Sequence, residues 1–196
     1  MTRLSKLPLD DWDPEIRELT NADQASELER GALRIYAHCP ELAKGLVRFK
    51  MALNGNRGLP ERLIELVRLQ VAFYNQCRSC MAIRYEDAKD DGLTEDLVCS
   101  LERPAEAKNL TEAEKAAIEF GERMATDHLS IDDAFYDRLR RHFTEAEIVE
   151  LATNVAFFVG FGRLTATWHM IEELPEPFQE EAGPVSPWGK ESVTVR

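Results

Sequence analysis

Apolar residues recur at three- and four-residue spacings along most of this chain, and nowhere do they alternate with period two for long enough to argue a sheet. The spacing predicts helices over about residues 23–37, 41–53 and 60–74, the last opened by Gly58-Leu59-Pro60 with proline suited to a first helical position. That third helix is apolar on most sides (Leu63, Ile64, Leu66, Val67, Leu69, Val71, Phe73) and is expected to be a buried central element. Asn75-Gln76 breaks it, and a further helix is expected over 77–90, stopped by Asp91-Gly92 with Gly92 as a left-handed cap. Thr94 is placed to cap a short helix through Ser100, and 102–109, holding Pro104, reads as a connecting loop.

Three N-terminal signatures follow. Thr111-Glu112-Ala113-Glu114 and Thr144-Glu145-Ala146-Glu147 are capping boxes, and Ser130-Ile131-Asp132-Asp133 is a looser version. They open helices over about 112–126, 131–142 and 145–171, the last carrying Gly160 and Gly162, where close packing or a bend is expected. Beyond residue 172 the chain is rich in proline (Pro175, Pro177, Pro184, Pro187) and reads as extended. The pattern predicts one all-α domain over 21–172, a bundle of about seven to eight helices, with poorly structured arms at 1–20 and 173–196.

Composition narrows the setting. The 196 residues are 44% hydrophobic and 31% charged, as in soluble globular proteins. No apolar run is read as approaching the roughly 18 residues of a membrane span, and the N-terminus lacks an apolar signal core, so a cytoplasmic location is expected. The net charge of −12 would repel phosphate backbones and anionic lipid, which argues against nucleic acid and membrane as partners. The basic cluster Arg138, Arg140 and Arg141 is interleaved with acids and reads as a solvated helix face.

Four cysteines remain, and in a reducing compartment their even count implies no disulfide framework. Cys39 and Cys99 are expected to be small buried hydrophobes. Cys77-Arg78-Ser79-Cys80 is a C-x-x-C pair at the expected start of a helix, where the positive end of the helix dipole favours a thiolate and two thiols can exchange with a disulfide. On a continuous helix Cys77, Cys80, Met81, Arg84 and Ala88 would share a face, with Cys80 deeper in the first turn and Cys77 nearer its mouth. The blander readings are a zinc site, for which no second C-x-x-C or H-x-x-x-H is present, and a pair of inert buried thiols.

The stretch from Glu65 through Phe73-Tyr74-Asn75-Gln76-Cys77-Arg78-Ser79-Cys80 to Glu86-Asp87-Ala88 and Asp91-Gly92-Leu93 resembles the carboxymuconolactone decarboxylase superfamily, in its alkylhydroperoxidase D-like, peroxidase-related branch. The pattern of that branch is a glutamate, a C-x-x-C twelve residues on, and a histidine four residues after the second cysteine. The resemblance implies that Cys80 is the thiolate attacking a peroxide, Cys77 the resolving thiol, and Glu65 the proton acceptor. Read from the residues alone, Glu65 is as well explained by a salt bridge to Arg62 or Arg68, each three residues away.

The chain departs from the pattern at Arg84, which stands where the resemblance places a histidine. A guanidinium cannot shuttle protons, but it could stabilise a thiolate or bind an anionic substrate. Tyr85, His169 and His38 are candidate proton donors. The resemblance implies a thiol-dependent peroxidase or peroxiredoxin-type disulfide redox protein, reduced by a lipoyl or thioredoxin-like dithiol protein and assembled as a homo-oligomer. No haem, flavin, metal or other cofactor is called for. The alternatives are a lactone decarboxylase, the superfamily's other activity, and a non-catalytic helical oligomer that has lost its relay histidine.

Overall fold

A computed structural model describes residues 1–55, 57–179 and 183–195. The helices are α1 (Pro14–Thr20), α2 (Glu27–Arg30), α3 (Leu33–Tyr36), α4 (Pro40–Gly55), α5 (Glu61–Asn75) and α6 (Arg78–Ala82), followed after a short strand β1 (Ile83–Tyr85) by α7 (Glu86–Asp90) and α8 (Glu95–Cys99). Then come α9 (Glu112–Thr126), α10 (Asp133–Leu139), α11 (Glu145–Trp168), α12 (Glu176–Gln179) and a second strand β2 (Val193–Val195). Among the described residues the fold is all-α apart from one two-stranded ribbon.

Helix α5 is the axis of the fold. Every residue from Leu63 to Ala72 is buried, as its apolar circumference requires. Helices α9 and α11 pack along it. Gly121 lets α9 approach closely, because a Cβ there would stand 3.0 Å from Val67 Cγ1 and 3.2 Å from Val71 Cγ2. Gly162 does the same for α11, where a Cβ would meet Asn75 Nδ2 at 2.6 Å. Asn75 Nδ2 instead donates to the Phe158 carbonyl, tying the end of α5 to α11.

The caps follow the sequence closely where they are local. Thr111 with Glu114 and Thr144 with Glu147 form complete capping boxes, and Thr94 accepts from Leu97 N. Gln76 takes the left-handed cap of α5, and Gly92 has φ 88°. The looser signature resolves differently: Asp132, rather than Ser130, accepts from Phe135 N and opens α10. A further box, Ser26 with Glu29, begins α2. The single helix expected over 23–37 is divided, because Gly31 at φ 42° and ψ −129° ends α2 before α3 begins.

Both arms are built into the structure, against expectation. Asp13 caps α1 with Pro14 in its first turn, and Trp12 and Ile16 are buried with Tyr36, Trp168 and Met170. At the other end Phe178 and Val185 are buried against Ala72, Met81 and Ala82. Strand β2 then lies parallel to β1, with Ile83, Arg84 and Tyr85 opposite Val193, Thr194 and Val195. A three-residue ribbon leaves too little alternation to be read from sequence. Cys39 and Cys99 are also exposed rather than buried, Cys39 just before α4 and Cys99 at the end of α8.

Helix α11 departs from expectation too, since its 24 residues are long and apolar enough to cross a bilayer by length and composition. One flank packs on α5 and α9, and 22% of its most apolar 18-residue window is buried. The outward positions Val149 and Leu164 are exposed, and Phe157 meets the exposed Phe49 of α4 at 5.8 Å between ring centroids.

Candidate active site around Cys77 and Cys80

The site is assembled where α5 ends. The left-handed turn at Gln76 reverses the chain so that Cys77 becomes the N-cap of α6, and Cys77 N donates back to the Ala72 carbonyl. Cys77 and Cys80 form a disulfide, with their Cα atoms 5.2 Å apart. Cys77 is fully buried, and its sulfur lies 3.6 Å from Ser79 Oγ. Cys80 is partly exposed and, with Ser79, lines a cavity of about 420 Å³. The expected depths are therefore reversed: Cys80 faces the open space and Cys77 lies behind it, because the first turn is closed by Gln76 and the returning tail.

Helix α6 stops after Ala82 rather than running on to residue 90. Ile83 turns extended, and the ribbon with β2 carries the chain into α7. This break removes the shared face expected for Cys80 and Arg84. Arg84 is 1% exposed, and its guanidinium donates to the carbonyls of Met81, Ile83 and Pro187 and to the Glu95 carboxylate. Burial lowers its pKa, with Glu95 working in the opposite direction. Arg84 thus anchors the tail to the cysteine segment, and it is not among the residues lining the cavity.

The cation at the cysteine turn is Arg68, which the sequence alone marks only as a salt-bridge partner of Glu65. Its Nε and Nη2 hold both oxygens of Glu65 at 2.5 and 2.6 Å. Its Nη1 donates to the Cys80 carbonyl at 2.5 Å and Nη2 to the Ile83 carbonyl at 2.8 Å. One guanidinium therefore joins the glutamate of α5 to both ends of the cysteine turn. Burial alone would lower the pKa of Arg68; the charge and hydrogen bonds of Glu65 outweigh it, so the net shift is upward. Glu65 is 3% exposed and also accepts from Tyr85 N at 3.4 Å. A carboxylate offers about four lone-pair sites, so Glu65 keeps capacity for another donor. The three-residue spacing from Glu65 on an otherwise apolar helix was the sequence signal for Arg68. Arg62, the other candidate partner, pairs with Glu114.

Of the remaining candidates, Tyr85 lines the cavity with its ring under Arg68, 5.1 Å from the guanidinium carbon. His38 lies elsewhere, its Nε2 within 2.9 Å of the Ser5 carbonyl of the N-terminal arm. His169 is the left-handed C-cap of α11 and is outside the cavity lining. The structure thus brings Cys77, Cys80, Glu65 and Tyr85 together and leaves Arg84 and both histidines outside.

The tail closes the back of the site. Gln76 exchanges two hydrogen bonds with the backbone of Val185, and Arg78 donates to the carbonyls of Phe178 and Gly183. Trp188 packs on Phe73 at 4.8 Å between ring centroids.

Comparison with known proteins gives this arrangement a context. The uncharacterized protein YdfG of Bacillus subtilis is 31% identical over 102 residues, which are 52% of this chain and 69% of that protein. An uncharacterized protein of Mycobacterium tuberculosis is 32% identical over 109 residues, 55% of this chain but 38% of its own length. Among solved structures, an uncharacterized peroxidase-related protein of Ralstonia eutropha, described as an alkylhydroperoxidase AhpD core, superposes with a TM-score of 0.71 at 19% identity. The match covers 91% of this chain and 94% of that one. A peroxidase-related protein of Silicibacter gives 0.65 at 18% identity, covering 91% and 97% of the two chains. These structures share the fold, an alkylhydroperoxidase D-like helical bundle. The profile of the Carboxymuconolactone decarboxylase family matches residues 40–123, which hold α4, α5 and the C-x-x-C, and this chain belongs to that family.

Proposed function

We propose that this protein is a thiol-dependent peroxidase that cycles between a Cys77–Cys80 dithiol and disulfide. The observation that carries the reading is the linked pair itself, with Cys80 on the cavity wall and Cys77 buried behind it. The Cys80 thiolate attacks the O–O bond of a hydroperoxide, forming an S–O bond as the O–O bond breaks. The departing alkoxide takes a proton and leaves as an alcohol, while Cys80 becomes a sulfenic acid. The Cys77 thiol then displaces the sulfenic oxygen as water and forms the disulfide. An external dithiol, a lipoyl or thioredoxin-like protein, restores the pair and is itself oxidised.

Glu65 accepts the thiol proton in this scheme, and Arg68 supplies the positive charge beside the Cys80 backbone that favours a thiolate. That assignment moves the electrostatic role from Arg84 to Arg68. Positioning within one cavity and charge stabilisation are the two effects asked of the protein, as no metal or organic cofactor enters the scheme.

The test is intact mass spectrometry of the reduced protein after a stoichiometric addition of cumene hydroperoxide. Loss of two hydrogens, with cumyl alcohol released in equal amount, is expected. Unreacted thiols would sink the proposal, and turnover of a lactone with untouched thiols would replace it with decarboxylase chemistry.

We also propose that the chain works as a homo-oligomer. Leu42, Phe49 and Met51 of α4 and Val149 and Leu164 of α11 are large apolar side chains exposed in the single chain. Light scattering is expected to give a multiple of the 22.3 kDa chain mass, and a monomer at micromolar concentration would refute this.

A further inference from the structure

The cavity beside Cys80 has a shape and a set of unmatched donors that no part of the peroxidase scheme uses. Its α11 wall is Asn154, Phe157, Phe158, Phe161, Gly162 and Thr165, one helical face about 16 Å long at 1.5 Å per residue. The adjoining wall runs along α5 from Glu61 to Asn75, about 21 Å by the same measure. The two helices run in the same sense, since Gly58 N, before α5, meets Glu150 and Asn75, at its end, meets Phe158. The space therefore extends as a channel along the seam of these two packed helices, and its middle is aromatic and aliphatic.

Each end carries a buried donor with nothing to donate to among the described residues. At one end stands Tyr36, nine-tenths buried between Trp168 and Phe161, whose hydroxyl has no partner. Burial pushes its pKa up to about 12, so it remains a donor at any physiological pH. At the other end stands Arg57, whose two Nη atoms are engaged by Glu61 and Asn54 while its buried Nε is unmatched. An unsatisfied buried polar group is destabilising, and an acceptor that fills the site relieves that cost.

Charge distinguishes the ends. Arg34, near Tyr36, is matched by Glu173 and Glu27. At the other end Arg57 pairs with Glu61 and feels the charges of Glu150, Glu65 and Asp87, Lys50 lines the same cavity, and Glu65 is itself matched by Arg68. Arg57 is the end where the orphan donor is itself cationic, so an acceptor placed on its Nε makes a charge-assisted hydrogen bond.

We propose that this channel binds an oxygenated fatty acid. The carboxylate accepts from Arg57 Nε, the chain lies along Phe157, Phe158 and Phe161, and an oxygen function farther along the chain accepts from Tyr36 Oη. This names the substrate class of the proposed peroxidase and rests on that reading for turnover, but not for binding. Tyr36 is then the residue that distinguishes an oxygenated chain from a plain one.

Isothermal titration of the oxidised full-length protein with 12-hydroxydodecanoate and with dodecanoate, both below micelle formation, tests it without peroxide. Saturable binding of both is expected, with the hydroxy acid about fivefold tighter, the worth of one hydrogen bond. Tyr36→Phe is expected to erase that preference while leaving dodecanoate affinity unchanged, and Arg57→Met to weaken both ligands about tenfold. Circular dichroism checks that each variant is folded. Absence of saturable binding, or a hydroxyl preference that survives Tyr36→Phe, would overturn the proposal. Binding without thiol oxidation would leave this inference standing and remove the peroxidase.

Discussion

Cys80→Ser is expected to abolish peroxide consumption, lowering kcat/KM by at least about 10³-fold, because Cys39, Cys77 and Cys99 are not among the residues lining the cavity. Cys77→Ser is expected to behave differently. It retains a single stoichiometric turnover, since Cys80 still faces the cavity, and then stops as a sulfenic acid that a dimedone probe traps. The asymmetry follows from burial: Cys77 is fully enclosed by the Gln76 turn and the tail, whereas Cys80 opens onto the channel. Stopped-flow measurement of the first turnover decides the assignment. A burst in Cys80→Ser and none in Cys77→Ser would reverse the two roles.

Arg68→Met should give the largest loss of stability of any single change at the site. It leaves the Glu65 carboxylate buried without its cation, and breaking such a pair costs about 3–5 kcal/mol. It also strips the Cys80 and Ile83 carbonyls of their donor. In a chain of this length the loss corresponds to a fall in Tm on the order of 10 °C. Glu65→Gln combined with Arg68→Met is expected to recover part of that fall, because the unpaired charge is gone. Thermal melts of the single and double variants measure both effects. A single variant that melts within a degree or two of the wild type would show that the pair does not hold the cysteine turn.

Arg84 illustrates why a residue's partners outweigh its place in a motif. Four residues beyond Cys80 on an uninterrupted helix, it would share the cysteine face. The helix ends at Ala82, however, because Ile83 to Tyr85 find a strand partner more than a hundred residues away. Arg84 then satisfies the Pro187 carbonyl and Glu95. Arg68, by contrast, looked like an ordinary salt-bridge residue, and its hold on the Cys80 carbonyl depends on how the chain reverses at Gln76.

Residue order is enough to specify the helical class, the buried character of α5, both threonine capping boxes, the break at Asn75-Gln76 and the spacing of Glu65 from the cysteines. Each of these depends on residues within a few turns of one another, where backbone hydrogen bonding and apolar periodicity leave little choice. Packing over the whole molecule sets which sulfur faces the cavity, which arginine holds the cysteine turn, that the proline-rich tail folds back as a strand, and that Tyr36 and Arg57 line the same cavity. Those outcomes pair groups far apart in the chain, and such pairing is set by how whole helices pack, through burial and hydrogen-bond satisfaction that no local pattern records.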